Sequence, residues 1–206
     1  MKDIKKYPLE LTEFKTNNYR PGSHYTIPKR WDNFTMHVPV WSQVLSHFFK
    51  DSKNLNFLEL GSGNGLCANY LLDNYNCTVD TVDIEDLRVV EENGIEYSVT
   101  TTSNLQPFIK SKRCAFHLMS TKEFLVQNYN KKYDFVYVDA SHDKDWVLYD
   151  CITTFNLLKV DGLMILDDYG WGKCGEGIDA FLYCYDKHLE VFHKEWQVMI
   201  RKVSDL

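Results

Sequence analysis

The chain lacks a basic excess, a paired-cysteine motif, an internal repeat and an apolar leader. Its first residues, Met1-Lys2-Asp3-Ile4-Lys5-Lys6, hold no hydrophobic core segment, so neither a signal peptide nor a membrane span is expected there. The net charge is −6, which makes nucleic acid a poor substrate. The one basic group, Lys110, Lys112 and Arg113, reads as a solvated loop. The six cysteines (67, 77, 114, 151, 174 and 184) form no C-x-x-C pair. Without a secretory signal they are expected as free thiols in a reducing, cytoplasmic compartment. No linker or low-complexity tract divides the 206 residues, a length that suits one main domain.

What is present is an alternating pattern. Residues 1–37 are polar and aromatic, punctuated by Pro8, Pro21-Gly22 and Pro28, and read as an irregular arm. Residues 38–206 carry the domain. Apolar positions at Val40, Trp41, Val44, Leu45, Phe48 and Phe49 have helical spacing. Short apolar runs then alternate with helical segments: strands at Phe57–Leu60, Thr78–Ile84, Ala115–Met119, Tyr133–Val138 and Leu163–Leu166. A turn is expected at Val160-Asp161-Gly162, and a terminal hairpin at about Glu190–His193 and Gln197–Lys202. This predicts an α/β Rossmann-like three-layer sandwich, with a mainly parallel seven-stranded sheet and a C-terminal antiparallel hairpin.

In such sheets ligands bind beyond the carboxyl ends of the strands. After the first strand comes Glu59-Leu60-Gly61-Ser62-Gly63-Asn64-Gly65. Gly61, Gly63 and Gly65 let the backbone turn tightly and approach a ligand, and the following helix would offer N–H groups. A G-x-G pattern also suits a dinucleotide. Glu59 disfavours a neighbouring pyrophosphate and favours a cationic ligand. After the second strand Asp83 is placed either to accept ribose hydroxyls or to cap a helix. After the third, Met119 and Ser120 stand where an adenine would sit, while Ser120 or Thr121 equally suits a helix cap. Asp139-Ala140-Ser141-His142-Asp143 and Asp167-Asp168-Tyr169 follow the fourth and fifth strands. Asp139, Asp167 and Asp168 would repel one another without a cation between them, so Mg²⁺, or Ca²⁺ or Mn²⁺, is expected there. The plainer alternative has one Asp capping a helix and another facing water. Trp171, Tyr169, Tyr19, Tyr25, Trp31 and Trp41 are candidate walls of an acceptor pocket, or core.

These segments resemble the class I S-adenosylmethionine-dependent methyltransferases from about Asn56 to Val203. Tyr133–His142 resembles the D-G-S-H strand end of a small-molecule O-methyltransferase branch, which includes catechol-type and sugar enzymes. Leu158–Tyr169 resembles its L-K-P-G-G-x-x-x-x-D-D-Y segment. The resemblance implies a methyltransferase (EC 2.1.1) that binds S-adenosylmethionine through Glu59, Gly61, Ser62, Gly63, Gly65, Asp83, Met119, Ser120 and Asp139. It implies a metal on Asp139, Asp167 and Asp168. The acceptor would be a small-molecule hydroxyl, with Asp139 at the reacting centre and His142 or Asp143 taking the proton. The arm would cover the acceptor site. A homodimer is one expectation for assembly. Two rivals stay open: a catalytically silent S-adenosylmethionine-binding module and a nicotinamide-dependent Rossmann enzyme.

Overall fold

A computed structural model describes residues 19–25, 32–92 and 94–205. Most of the expected arm, Trp31 included, therefore lies outside the described residues. Helix α1 (Val38–Phe49) precedes β1 (Leu55–Leu60), α2 (Leu66–Asn74) and β2 (Cys77–Asp83). Then come β3 (Leu87–Glu92), β4 (Ile95–Thr100), α3 (Thr101–Lys110), β5 (Cys114–Leu118), α4 (Thr121–Gln127) and β6 (Tyr133–Val138). The chain continues through α5 (Lys144–Leu157), β7 (Leu158–Leu166), α6 (Cys174–Cys184), β8 (Leu189–Lys194) and β9 (Val198–Lys202).

The main sheet has seven strands in the order β5-β2-β1-β6-β7-β9-β8. Its first five strands are parallel, and β9 runs antiparallel to both β7 and β8. The sheet class, the parallel body and the closing hairpin are as the alternation predicts. The strands are buried on both faces, which is why they read as continuous apolar runs. Along β6, Phe135 and Tyr137 point into one core with Trp41, Phe57 and Leu71. Val136 and Val138 point into the other with Leu60, Phe155 and Phe181. Ser120 caps α4 as expected: its hydroxyl accepts from the Glu123 N–H at 3.2 Å, and the Glu123 carboxylate accepts from the Ser120 N–H at 3.1 Å.

Three features differ from the sequence reading. Val160-Asp161-Gly162 does not separate a helix from a strand but lies inside β7. Leu158 pairs with Tyr133 and Leu163 with Phe135, so the intervening residues bulge out of the ladder. The segment 87–110, unassigned by sequence, forms a separate two-stranded sheet (β3-β4) and helix α3. Trp41, a candidate pocket wall, is fully buried in the core. Its Nε1 donates to Gln197 Oε1 at 2.8 Å, and its ring meets Tyr137 edge-on at 4.8 Å.

The six cysteines are unpaired, as expected. Among the described residues no helix is long and apolar enough to cross a membrane.

Trp41→Ala removes the largest fully buried side chain and orphans Gln197. The expected loss is about 3–5 kcal/mol of stability, read by denaturant unfolding. Trp41→Phe, which keeps the ring packing, loses less than half as much.

Candidate active site

The carboxyl ends of β1, β2, β5, β6 and β7 open onto one cavity of about 1090 Å³. Glu59, Gly61, Ser62, Gly63, Asp83, Met119, Ser120, Asp139, His142, Asp167 and Asp168 all line it. Gly65 and Asp143 do not. Gly65 instead starts α2, with φ of 83° and its backbone against the Leu105 side chain. Asp143 is exposed and caps α5, accepting the Asp145 N–H at 3.0 Å. Trp171 lines the cavity as expected, whereas Tyr19, Tyr25 and Tyr169 do not.

The glycine loop is closed onto the protein. The Gly61 and Ser62 N–H groups donate to the Val82 carbonyl at 2.8 and 3.2 Å. The Gly63 N–H donates to Asp83 Oδ2 at 2.9 Å and the Gly65 N–H to the Ser62 carbonyl at 2.7 Å. The Leu66 N–H meets Asn64 Oδ1 at 3.3 Å. Five of the N–H groups expected to face a ligand are therefore engaged within the protein. A Cβ on Gly61 would lie 1.8 Å from the Asp139 carbonyl oxygen, whereas one on Gly63 would meet nothing within 4 Å. The first glycine is required by protein; the second leaves room for ligand.

Glu59 lies buried beneath this loop. Thr81 Oγ1 donates to its carboxylate and shares a 2.6 Å hydrogen bond with Ser62 Oγ. Burial lifts the Glu59 carboxyl from 4.5 to about 7, against the Thr81 hydrogen bond, with the charge of Asp83 adding to the rise. Such a group gains from a cation placed over it.

At the other end Tyr137 Oη donates to Asp167 and lies 3.2 Å from Asp139 Oδ2. Asp167 Oδ1 also accepts the Asp168 N–H at 2.8 Å. Asp168 sits at φ of 56°, a left-handed conformation that Asp tolerates better than most residues. Its Oδ2 is 2.9 Å from His142 Nε2, and the His142 ring lies 4.8 Å from that of Trp171. Asp139, His142 and Asp168 each offer a ligand atom within 4.8 Å of one another. His142 thus stands beside two of the expected metal acids, while Asp167 faces Tyr137. Burial, then the charges of Asp167 and Asp168, push the Asp139 carboxyl well up. Burial and Asp167 raise that of Asp168, opposed by His142. His37, which the sequence does not single out, also lines the cavity. Burial holds its imidazole below the ordinary value, and the charge of Asp167 opposes this.

A family model described as a methyltransferase domain matches residues 58–169. The chain belongs to this methyltransferase family. It is an S-adenosylmethionine-dependent methyltransferase. No curated protein matches it by sequence. Among solved structures, the methyltransferase is similar to a protein assigned as an rRNA methylase from Clostridium thermocellum. The TM-score is 0.62 at 16% identity, covering 82% of this chain and 97% of that one. It is also similar to the N-methyltransferase NodS from Bradyrhizobium japonicum, solved with S-adenosylhomocysteine. There the TM-score is 0.54 at 12% identity, covering 86% and 92%. MycE of the mycinamycin pathway, solved with Mg, S-adenosylhomocysteine and mycinamycin VI, has a TM-score of 0.57 at 15% identity, covering 84% and 51%. At these identities the likeness is one of fold.

Because the Glu59 carboxyl is raised in the fold, the native chain holds this proton more tightly than the unfolded chain. Its ionisation costs stability as pH rises from 4.5 towards about 7, and above that the cost is complete, at most about 3 kcal/mol. Glu59→Gln should therefore melt above the wild type at pH 8 and level with it at pH 4.5. The same substitution should weaken S-adenosylmethionine binding about tenfold or more by calorimetry.

Proposed function

We propose that the methyltransferase transfers the sulfonium methyl to a small-molecule hydroxyl, on a sugar, diol or catechol, beside a divalent cation. The observation that carries this reading is the cluster of Asp139, His142 and Asp168, whose ligand atoms lie within 4.8 Å of one another, with Asp167 beside it on Tyr137. Of the described residues lining the cavity, the only Lys or Arg are Arg88 and Lys122, both at the end formed by β2, β3 and α4. No Lys or Arg among the described lining residues answers the three acids; the basic groups beside them are the imidazoles of His142 and His37. The rise of the Asp139 carboxyl is what an uncompensated buried acid shows, so the residues fit a hard cation such as Mg²⁺. Asp139, Asp167 and Asp168 would hold it. When bound, Mg²⁺ supplies Lewis acidity that lowers the pKa of a hydroxyl.

The chain's own residues do the rest. Glu59 and the glycine loop seat the cationic donor. The sulfonium is already a good leaving group, so alignment of acceptor oxygen, methyl and sulfur supplies most of the acceleration. His142, oriented by Asp168 and tilted against the Trp171 ring, takes the hydroxyl proton. The same Trp171 ring offers an apolar face to a sugar or aromatic acceptor.

With catechols, vicinal diols and glycosides as acceptors, S-adenosylhomocysteine release should vanish in EDTA and return with Mg²⁺. Full turnover in chelator sinks the metal role. Mn²⁺ titration gives a readout apart from activity: Asp168→Asn should weaken it about tenfold. His142→Ala should leave Mn²⁺ affinity within about threefold while lowering kcat about 100-fold. Loss of Mn²⁺ binding in His142→Ala would make His142 a ligand instead of the base.

A further inference from the structure

Asp83, the acid that follows β2, is already engaged. Its Oδ2 accepts the Gly63 N–H at 2.9 Å and Arg88 Nη2 at 3.0 Å. Its Oδ1 accepts the Glu85 N–H at 3.1 Å. A carboxylate oxygen has two lone pairs in its plane, so Oδ2 is full and Oδ1 has one left. Two vicinal ribose hydroxyls need two acceptor positions, and only one remains.

One of the three donors must give way. The Gly63 and Glu85 N–H groups belong to the backbone that shapes the loop and the strand end. Arg88 is a side chain on β3, in a two-stranded sheet separate from the main one. It also has a second anchor that survives the release: its Nη1 already lies 2.5 Å from Glu85 Oε2. Both Arg88 and Glu85 line the cavity beside Asp83.

We propose that Arg88 is a latch on the ribose-binding carboxylate. It bridges Asp83 and Glu85, and it releases Asp83 while keeping Glu85 when the nucleoside arrives. This rests on Asp83 being the ribose acid. The latch keeps the carboxylate neutralised and placed between turnovers. It weakens substrate and product alike, because S-adenosylmethionine and S-adenosylhomocysteine share the ribose, and so it speeds product release. Arg88 is a positioning residue and touches no reacting atom.

The test is calorimetric binding of S-adenosylhomocysteine and of its 2′,3′-dideoxy analogue to the full chain. Arg88 keeps about a quarter of its side chain in solvent and Asp83 about a tenth, so the pair is worth at least the 2- to 5-fold change in an equilibrium constant typical of an exposed one. Arg88→Ala should therefore bind S-adenosylhomocysteine about 2- to 5-fold tighter than the wild type. The dideoxy analogue, which asks nothing of Asp83, should bind both proteins equally. Arg88→Gln, which keeps most of the side chain against the hairpin, should repeat the gain and guards against a folding defect in the alanine variant. Unchanged or weaker binding, or an equal gain for the dideoxy analogue, overturns the latch. Asp83→Asn separates the premise. It should weaken S-adenosylhomocysteine about tenfold, and wild-type affinity there overturns the ribose assignment itself.

Discussion

Everything in this site depends on one close approach, that of Gly61 to the Asp139 carbonyl. The Asp139 N–H donates to the Leu60 carbonyl at 2.9 Å, and a side chain on Gly61 would collide with the next carbonyl oxygen. This is where the chain order of the sheet reverses, with β1 leading outward to β2 and β6 leading the other way to β7. Two parallel strands diverge in their exits there, and the crevice between them is the binding site. The donor loop leaves from one strand and the acidic rim from the other. Their separation is fixed by backbone contact, which packed strands hold far more rigidly than side chains would.

On that frame the charges divide the cavity. Beneath the loop lies a glutamate whose carboxyl is raised by burial. Across the cleft, acids are held side by side by one phenol, that of Tyr137, whose single proton serves one carboxylate at a time. The loop between the two ends spends the N–H groups of Gly61, Ser62, Gly63 and Gly65 on Val82, Asp83 and Ser62.

Much of this was legible in the sequence, and the exceptions have physical reasons. Phe57–Leu60, Tyr133–Val138 and Leu163–Leu166 are readable because both faces of each strand are buried. The acids after them are readable because strand ends carry function in parallel sheets. The β3-β4 hairpin was not, since Leu87 and Val89 face solvent while Arg88 faces the cavity, the reverse of the usual pattern. Helix α3 hides behind Thr101-Thr102-Ser103-Asn104 and an internal Pro107, a composition that reads as loop. His37 and Arg88 carry no spacing signal at all; each reaches the cavity only through tertiary packing. Asp143 shows the opposite failure. Its position beside His142 in sequence suggests chemistry, but one residue further along the chain already belongs to the start of a helix.

The order of strands has a consequence for how the protein is made. Val198–Lys202 comes last in the sheet by sequence, yet it lies between β7 and β8 and not at the margin. Until that segment has emerged, Leu163–Leu166 presents an unpaired, wholly apolar edge, and β8 has nothing to pair with. An exposed edge of that kind is a template for other chains. During synthesis, therefore, the apolar edge of β7 stays open until the strand that covers it, β9, has been made.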